Sequence, residues 1–261
     1  MTWSANRIRD QEFFTKFNTV PATVSQWVSD YRSLQGADIL DFGCGEGIMA
    51  LGLALQFGPR RVVGIDIMPD PERCLPLAKA QLGLDALPEN LELHRVKPGF
   101  LHDDRDCFDC VYSWSTFEHV DERIFDQTLG LIHNALRPGG FFFVQIAPLY
   151  YSAEGSHLCH KIQEPWGHLL HQHNAYYDKL AAVTGDAEEL RSLWSTYRTL
   201  NRITVQQLLE NLREQNFEIL RTYTTRNELQ PPARLKTIFR EDVLVTEQIV
   251  ALARKSPIVI P

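Results

Sequence analysis

No stretch of this chain approaches the roughly 18 consecutive apolar residues that a membrane-spanning helix needs. The longest apolar runs, such as Gly140–Val144, are strand-sized. Residues 1–10 carry Arg7, Arg9 and Asp10 but no apolar h-region, so neither a secretory nor a membrane address is expected. Positive charge is in deficit: 26 Lys and Arg stand against 33 Asp and Glu, a formal net charge of −7. Without a clustered basic patch, a nucleic-acid groove is not expected. Cysteine is sparse, at Cys44, Cys74, Cys107, Cys110 and Cys159. An odd count with irregular spacing argues against a disulfide framework and for a reduced, cytoplasmic protein. Cys107 and Cys110 form one CxxC without a second pair, and Phe108 and Cys110 fit a buried strand, so zinc or redox use is the lesser reading.

What the chain does have is core-forming material. Hydrophobic residues make up 44% and charged residues 23%, which excludes a disordered or low-complexity protein. From Ala37 to Val144 strand-like and helix-like segments alternate. Ile39–Phe42, Arg61–Ile67, Leu91–Val96, Phe108–Ser113 and Phe141–Ile146 read as strands. Between them Ile48–Phe57, Glu72–Leu82 and Asp121–Leu136 read as helices, the second strained by Pro76. Such alternation implies parallel pairing through right-handed crossovers. Near the end, Thr204 is a candidate N-cap for a helix over Val205–Glu214, and Phe217–Tyr223 reads as a strand. Leu244–Ala253 fits a strand or a helix, and periodicity does not decide between them.

The most informative segment is Ile39-Leu40-Asp41-Phe42-Gly43-Cys44-Gly45-Glu46-Gly47. Three glycines where a strand turns into a helix let the backbone turn sharply and approach a ligand closely. No Gly-Lys-Ser/Thr follows, so this is not a phosphate-binding Walker loop. The spacing also departs from the GxGxxG of nicotinamide binders. Asp41, just before the first glycine, would repel a pyrophosphate but attracts an ammonium or sulfonium group. Asp66 stands at the tip of the second strand, where an acid can accept both hydroxyls of a ribose. Ile67 and Met68 beside it can pack on an adenine face. The ligand implied is an adenosine with a cationic amino-acid end.

At these residues the sequence resembles the class I S-adenosylmethionine-dependent methyltransferases, over about Ile39–Ile146. Asp41–Gly47 is similar to the family's first motif, and Asp66 takes the ribose position. Phe108–Ser113 with Phe117-Glu118-His119-Val120 is similar to the fourth-strand motif. Leu136–Gly140 is similar to the turn before strand five. The resemblance implies S-adenosyl-L-methionine as cofactor, held by Asp41, Gly43, Gly45, Asp66, Ile67 and Ser113. It implies an α/β Rossmann-like fold: a seven-stranded, mostly parallel sheet with helices on both faces and an inserted cap. The divisions expected are a helical arm over 1–35, a cofactor core over 36–147, an acceptor cap over 148–203, and a helix and strands over 204–261 that complete the sheet. One departure is visible. Where the family often has a Gly-Asp pair after strand three, Lys97-Pro98-Gly99-Phe100 stands, so Phe100 or Leu101 is expected near the adenine.

The segment after strand five has an uneven composition. His157, His160, His168, His171 and His173 lie there, with Tyr150, Tyr151, Tyr176, Tyr177, Tyr197, Trp166 and Trp194. Aromatic faces and imidazoles without a cationic groove suit a neutral polar ligand, a sugar or a phenol, better than a phosphate backbone. The loop Tyr150–His157 is expected over the cofactor methyl, with His157 as leading base candidate and His160 the next. His119 reads as structural. The spacing of His168, His171 and His173 can chelate, but no acidic cluster adjoins it, so no metal is expected. Asp103, Asp104 and Asp106 read as a solvated loop. Phe13, Phe14, Phe17 and Trp27 fit either a flap over the acceptor or an ordinary buried helix face.

The function these features favour is O-methylation of a small molecule. The alternatives are transfer to RNA or protein, or a non-catalytic S-adenosylmethionine-binding module. Asp41 and the glycine spacing disfavour a nicotinamide oxidoreductase. The oligomeric state does not follow from the sequence.

Overall fold

The computed structural model describes residues 8–98 and 105–256. The chain opens with α1 (Gln11–Phe14), capped by the Asp10 carboxylate, which accepts hydrogen bonds from the Glu12 and Phe13 amides. A π-helical turn over Thr15–Thr19 leads into α2 (Val20–Ser29). Then come β1 (Asp38–Phe42), α3 (Ile48–Gln56), β2 (Arg61–Asp66), α4 (Cys74–Leu82), β3 (Leu91–Arg95), β4 (Phe108–Trp114), α5 (Phe125–Ala135) and β5 (Leu136–Ile146). After β5 the chain forms α6 (Gly167–Leu170), α7 (His173–Val183) and α8 (Ala187–Thr199). It returns with α9 (Val205–Glu214), β6 (Phe217–Arg226), α10 (Ala233–Lys236), α11 (Glu241–Val245) and β7 (Thr246–Lys255).

Among the described residues the strands form one seven-stranded sheet in the order β3-β2-β1-β4-β5-β7-β6. The first five pair in parallel, and β7 runs antiparallel to both β5 and β6. The Rossmann-like reading therefore holds. The two arrangements open for Leu244–Ala253 resolve into a short helix followed by the inserted strand β7. Pro76 is accommodated because α4 begins at Cys74. That puts the proline in the first turn, where its missing N–H removes no intrahelical bond. Thr204 caps α9 as expected, in a capping box with Gln207.

Alternation along the strands gives the sheet two apolar faces. One packs Ile39, Tyr112, Phe143 and Leu252 against Leu51 of α3 and against Phe17, Val24 and Trp27 of the arm. The other packs Leu40, Val111, Phe142 and Ala251 against Leu129 and Ile132 of α5 and Leu208 and Leu212 of α9. Each fully buried side chain of this kind contributes roughly 1.5–3 kcal/mol. Phe13, Phe17 and Trp27 are thus buried core residues and Phe14 is half-buried, the ordinary helix face of the two readings. The segment between β5 and α9 has a separate apolar cluster of Leu158, Ile162, Tyr176, Leu180 and Tyr197. Among the described residues no helix is long and apolar enough to cross a membrane.

At the N-terminal ends of β1 and β4, away from the glycine loop, Asp38 and Asp109 share Arg137 at 2.7 and 2.9 Å. Arg60 also pairs with Asp38, and Arg32 with Asp109 at 3.0 Å. The arm is fixed to the sheet through Gly52 of α3. A Cβ there would overlap the Phe17 carbonyl oxygen, and Gln56 Nε2 donates to that same oxygen at 2.7 Å. Gly52→Ala should therefore lower stability by about 2 kcal/mol through overpacking. Chemical denaturation reads this as a lower midpoint, and an unchanged midpoint would show that the arm does not press on α3.

Candidate active site

The loop from β1 to α3 is shaped by residues in the left-handed region. Gly43 has φ 76° and Gly45 φ 52°. The amides of Gly43 and Cys44 both donate to the Ile65 carbonyl, at 2.9 and 3.0 Å, which folds the loop against the end of β2. At Gly43 a side chain would overlap Thr116, whose hydroxyl donates to the Gly43 carbonyl at 3.1 Å. At Gly45 a Cβ would meet nothing within 4 Å, so this part of the loop faces open space.

Asp41 lies beneath this loop and is fully buried. Neither carboxylate oxygen has an ion-pair partner or a well-formed hydrogen bond among the described residues; the hydroxyl of Tyr112, its register neighbour on β4, faces it without closing one. Burial pushes the Asp41 carboxyl up to about 7. The facing Tyr112 hydroxyl and the Ala50 amide offset part of this, and the Asp66 carboxylate adds to it. Asp66 has one oxygen on the Gly45 amide and the other on the Met68 amide, both at 2.8 Å. Beside it Ile67 and Met68 are exposed apolar side chains. Asp41, Gly43, Gly45, Asp66 and Ile67 therefore gather at the C-terminal ends of β1 and β2, the position at which open α/β sheets bind ligands. Ser113 is buried beside them, and its hydroxyl donates to the Phe42 carbonyl at 2.9 Å, closing the β1–β4 seam under the loop. Phe100, Leu101, Asp103 and Asp104 lie outside the described residues.

The other half of the site comes from the turn after β4 and the loop after β5. His157 has φ 59°, and its Nε2 lies 3.2 Å from the Pro148 carbonyl. A carbonyl only accepts, so neutral His157 carries its proton on Nε2 and a lone pair on Nδ1. Its ring meets His119 edge to face, with centroids 5.3 Å apart. Burial lowers the pKa of both imidazoles, His119 to about 4 with His157 contributing, so both are neutral at neutral pH. His160 is exposed and lies outside this pair.

The remaining histidines disperse. His168 is buried with Nε2 on the Tyr150 carbonyl at 2.6 Å, and burial lowers it to about 4. His171 sits on both oxygens of Glu164, at 2.8 and 3.0 Å, and His173 packs on Trp194. Among the described residues no group of three His, Cys, Asp or Glu is placed to hold a metal ion.

Two groups that the sequence reading passed over join the site. His119, taken as structural, is brought to His157. Glu118 is buried with both oxygens unpartnered, and burial raises its carboxyl to about 8. Their turn is held by Asn201, whose side chain donates to the Phe117 and Val120 carbonyls at 2.6 and 2.8 Å and whose backbone N–H donates to the Glu118 carbonyl at 2.8 Å. The available signal was an acid–histidine pair directly after a strand that borders the glycine loop.

A buried carboxylate without a counter-ion is costly in an apolar interior. Together with an open glycine turn and an acid at the tip of β2, it fits S-adenosylmethionine: an ammonium for Asp41, ribose hydroxyls for Asp66, and close backbone approach at Gly45. Fold and cradle are those of an α/β protein that binds a nucleoside cofactor at the C-terminal ends of its parallel strands. Residues 19–222 match the family model described as a methyltransferase domain, and the chain belongs to that family.

A relative from Pectobacterium carotovorum, named ribosomal protein L11 methyltransferase, is 38% identical over 85 residues, 33% of this chain and 27% of that protein. The chain thus matches about a quarter of that relative's length. In solved structures the fold is similar to the 1,6-didemethyltoxoflavin-N1-methyltransferase of Burkholderia thailandensis, with TM-score 0.53 and 17% identity over 92% of this chain and 78% of that one. It is also similar to a SAM-dependent methyltransferase of Methanosarcina mazei, with TM-score 0.55 and 19% identity over 88% and 97% of the two chains.

The state of Asp41 gives a pH prediction. Between the ordinary carboxylate range and about pH 7 the folded chain keeps a proton that the unfolded chain has lost. This group therefore costs stability progressively as pH rises through that window, and the penalty is complete above it. Binding an ammonium needs the charged form, so affinity for S-adenosylhomocysteine should rise with pH across the window. Calorimetry in buffers of different ionisation enthalpy should show proton release near pH 6 and none near pH 8. Asp41→Asn should melt higher than the wild type without ligand while binding S-adenosylhomocysteine at least tenfold more weakly. PH-independent affinity together with a cooler-melting variant would contradict this account of Asp41.

Proposed function

We infer that the chain transfers the methyl group to a hydroxyl oxygen of a small, uncharged polar molecule such as a sugar or a phenol, with His157 as general base. In this reading Asp41 would hold the cofactor's amino group, Gly43 and Gly45 would admit its methionine part, Asp66 would accept the ribose hydroxyls and Ile67 would offer an apolar surface to the adenine. Bound S-adenosylmethionine supplies an electrophilic methyl carbon on a sulfonium. The protein's part is to align the acceptor, exclude water and take a proton. As the acceptor oxygen bonds to the methyl carbon, the carbon–sulfur electron pair stays on sulfur, and the hydroxyl proton passes to Nδ1 of His157.

The observation that carries this reading is the His157 ring itself. It is neutral, is held in the Nε2–H tautomer by Pro148, and sits on the loop that leaves β5. The aromatic surroundings agree with an uncharged acceptor. Tyr150 and Tyr151 pack edge to face at 5.4 Å, and the Arg202 guanidinium is already over the Tyr150 ring. His160, being exposed, is less suited to the base role. A protein acceptor is the second reading, favoured by the relatives named for ribosomal protein L11.

Transfer of labelled methyl groups from S-adenosylmethionine into a fractionated cell extract tests the acceptor class. Label should enter the small-molecule fraction, whereas label confined to protein or RNA would overturn the reading. On an acceptor so identified, His157→Ala should lower kcat about 100-fold with unchanged affinity for S-adenosylhomocysteine. Full turnover by that variant would remove His157 from the base role.

A further inference from the structure

His119 and His157 are fixed in complementary tautomers by groups far apart in the chain. Thr199 Oγ1 donates to the Thr196 carbonyl at 2.7 Å, so its hydrogen is already engaged. Toward His119 Nδ1, 2.9 Å away, it can only accept. Neutral His119 therefore carries its proton on Nδ1 and a lone pair on Nε2. His157, with Nε2 donating to Pro148, has its lone pair on Nδ1. Two neighbouring imidazoles, centroids 5.3 Å apart, each offer one acceptor nitrogen that no other described residue uses.

A single hydroxyl has one hydrogen and can satisfy one of these nitrogens. A second donor on the neighbouring carbon would satisfy the other. Leaving a site acceptor unpaired in a desolvated pocket costs binding, and a site built to pair with a hydroxyl discriminates strongly against an analogue lacking it. We propose that His119 and His157 together receive an acceptor bearing two adjacent hydroxyls, a catechol or a vicinal sugar diol, with Thr199 as the residue that positions His119. This rests on the reading of the chain as an O-methyltransferase of small molecules, and it narrows the acceptor within that class. His157 takes the proton of the hydroxyl that is methylated. His119 accepts a hydrogen bond from the other hydroxyl and fixes which oxygen faces the methyl carbon.

Two measurements test this. The first needs no turnover. In protein labelled with nitrogen-15 at histidine and saturated with S-adenosylhomocysteine, His119 should show the Nδ1–H tautomer and His157 the Nε2–H tautomer. Thr199→Val should abolish the preference at His119 alone. Either histidine in the opposite tautomer, or an unchanged His119 in the Thr199 variant, overturns the proposal.

The second uses matched uncharged acceptors: catechol against phenol, and methyl riboside against methyl 2-deoxyriboside. The vicinal member of a methylated pair should have at least tenfold higher kcat/KM. His119→Gln should collapse that ratio toward one by lowering the vicinal member much more than its non-vicinal counterpart. Methylation of the non-vicinal members with no vicinal preference, or a ratio unchanged in His119→Gln, overturns the diol inference and leaves O-methylation standing. Transfer to no hydroxyl acceptor by protein that binds S-adenosylhomocysteine overturns both.

Discussion

The site depends on one unfavourable placement, the carboxylate of Asp41 sealed under the glycine loop without an ion-pair partner or a well-formed hydrogen bond among the described residues. The core around it is apolar, with Ile39 and Leu40 preceding it on β1 and Tyr112 beside it on β4. Among the described residues the facing Tyr112 hydroxyl is the one polar side chain turned toward it, and a single hydroxyl does not compensate a buried carboxylate. An apolar residue would be more favourable for the free protein, so this position is explained by the ligand. The rest of the cradle is arranged around that charge. Gly43 and Gly45 bring backbone over it, Asp66 holds the loop through the Gly45 amide, and Thr116 anchors the turn after β4 to the Gly43 carbonyl.

Thr116 is also where the two halves of the site join. It is followed directly by the turn that carries Glu118 and His119, and that turn is tied by Asn201 and Thr199 to the segment after β5. The glycine loop and the His119–His157 pair are therefore connected through a short run of hydrogen-bonded backbone. In the proposed reaction such continuity would serve alignment, since displacement of a reacting group by a fraction of an ångström is costly in rate.

The geometry around the glycine loop was legible in the sequence because its signals are local. The glycines set the turn, Asp41 and Asp66 place their carboxylates at strand ends, and the strand–helix alternation brings those ends together. The acceptor half was less legible because its chemistry is set by distant contacts. His119 is assigned its tautomer by Thr199, 80 residues away, and its turn is clamped by Asn201, 81 residues beyond Val120. No periodicity encodes such pairs. The histidine-rich stretch shows the converse: its composition suggested one shared site, but His168, His171 and His173 serve a carbonyl, a carboxylate and an aromatic ring in its packing. Leu244–Ala253 was ambiguous for a related reason. An apolar run of that length is decided by its neighbours, here the antiparallel registers with β5 and β6.

The central claim is that a single cradle orients a cofactor so that its sulfur faces the His119–His157 pair. A crystal structure of the protein with S-adenosylhomocysteine tests it most directly. The account predicts the amino group on Asp41, directly or through one water, the ribose hydroxyls on Asp66, and the sulfur open toward the two imidazoles. A complex in which Asp41 stays unpartnered, or in which the sulfur faces away from His119 and His157, would contradict it.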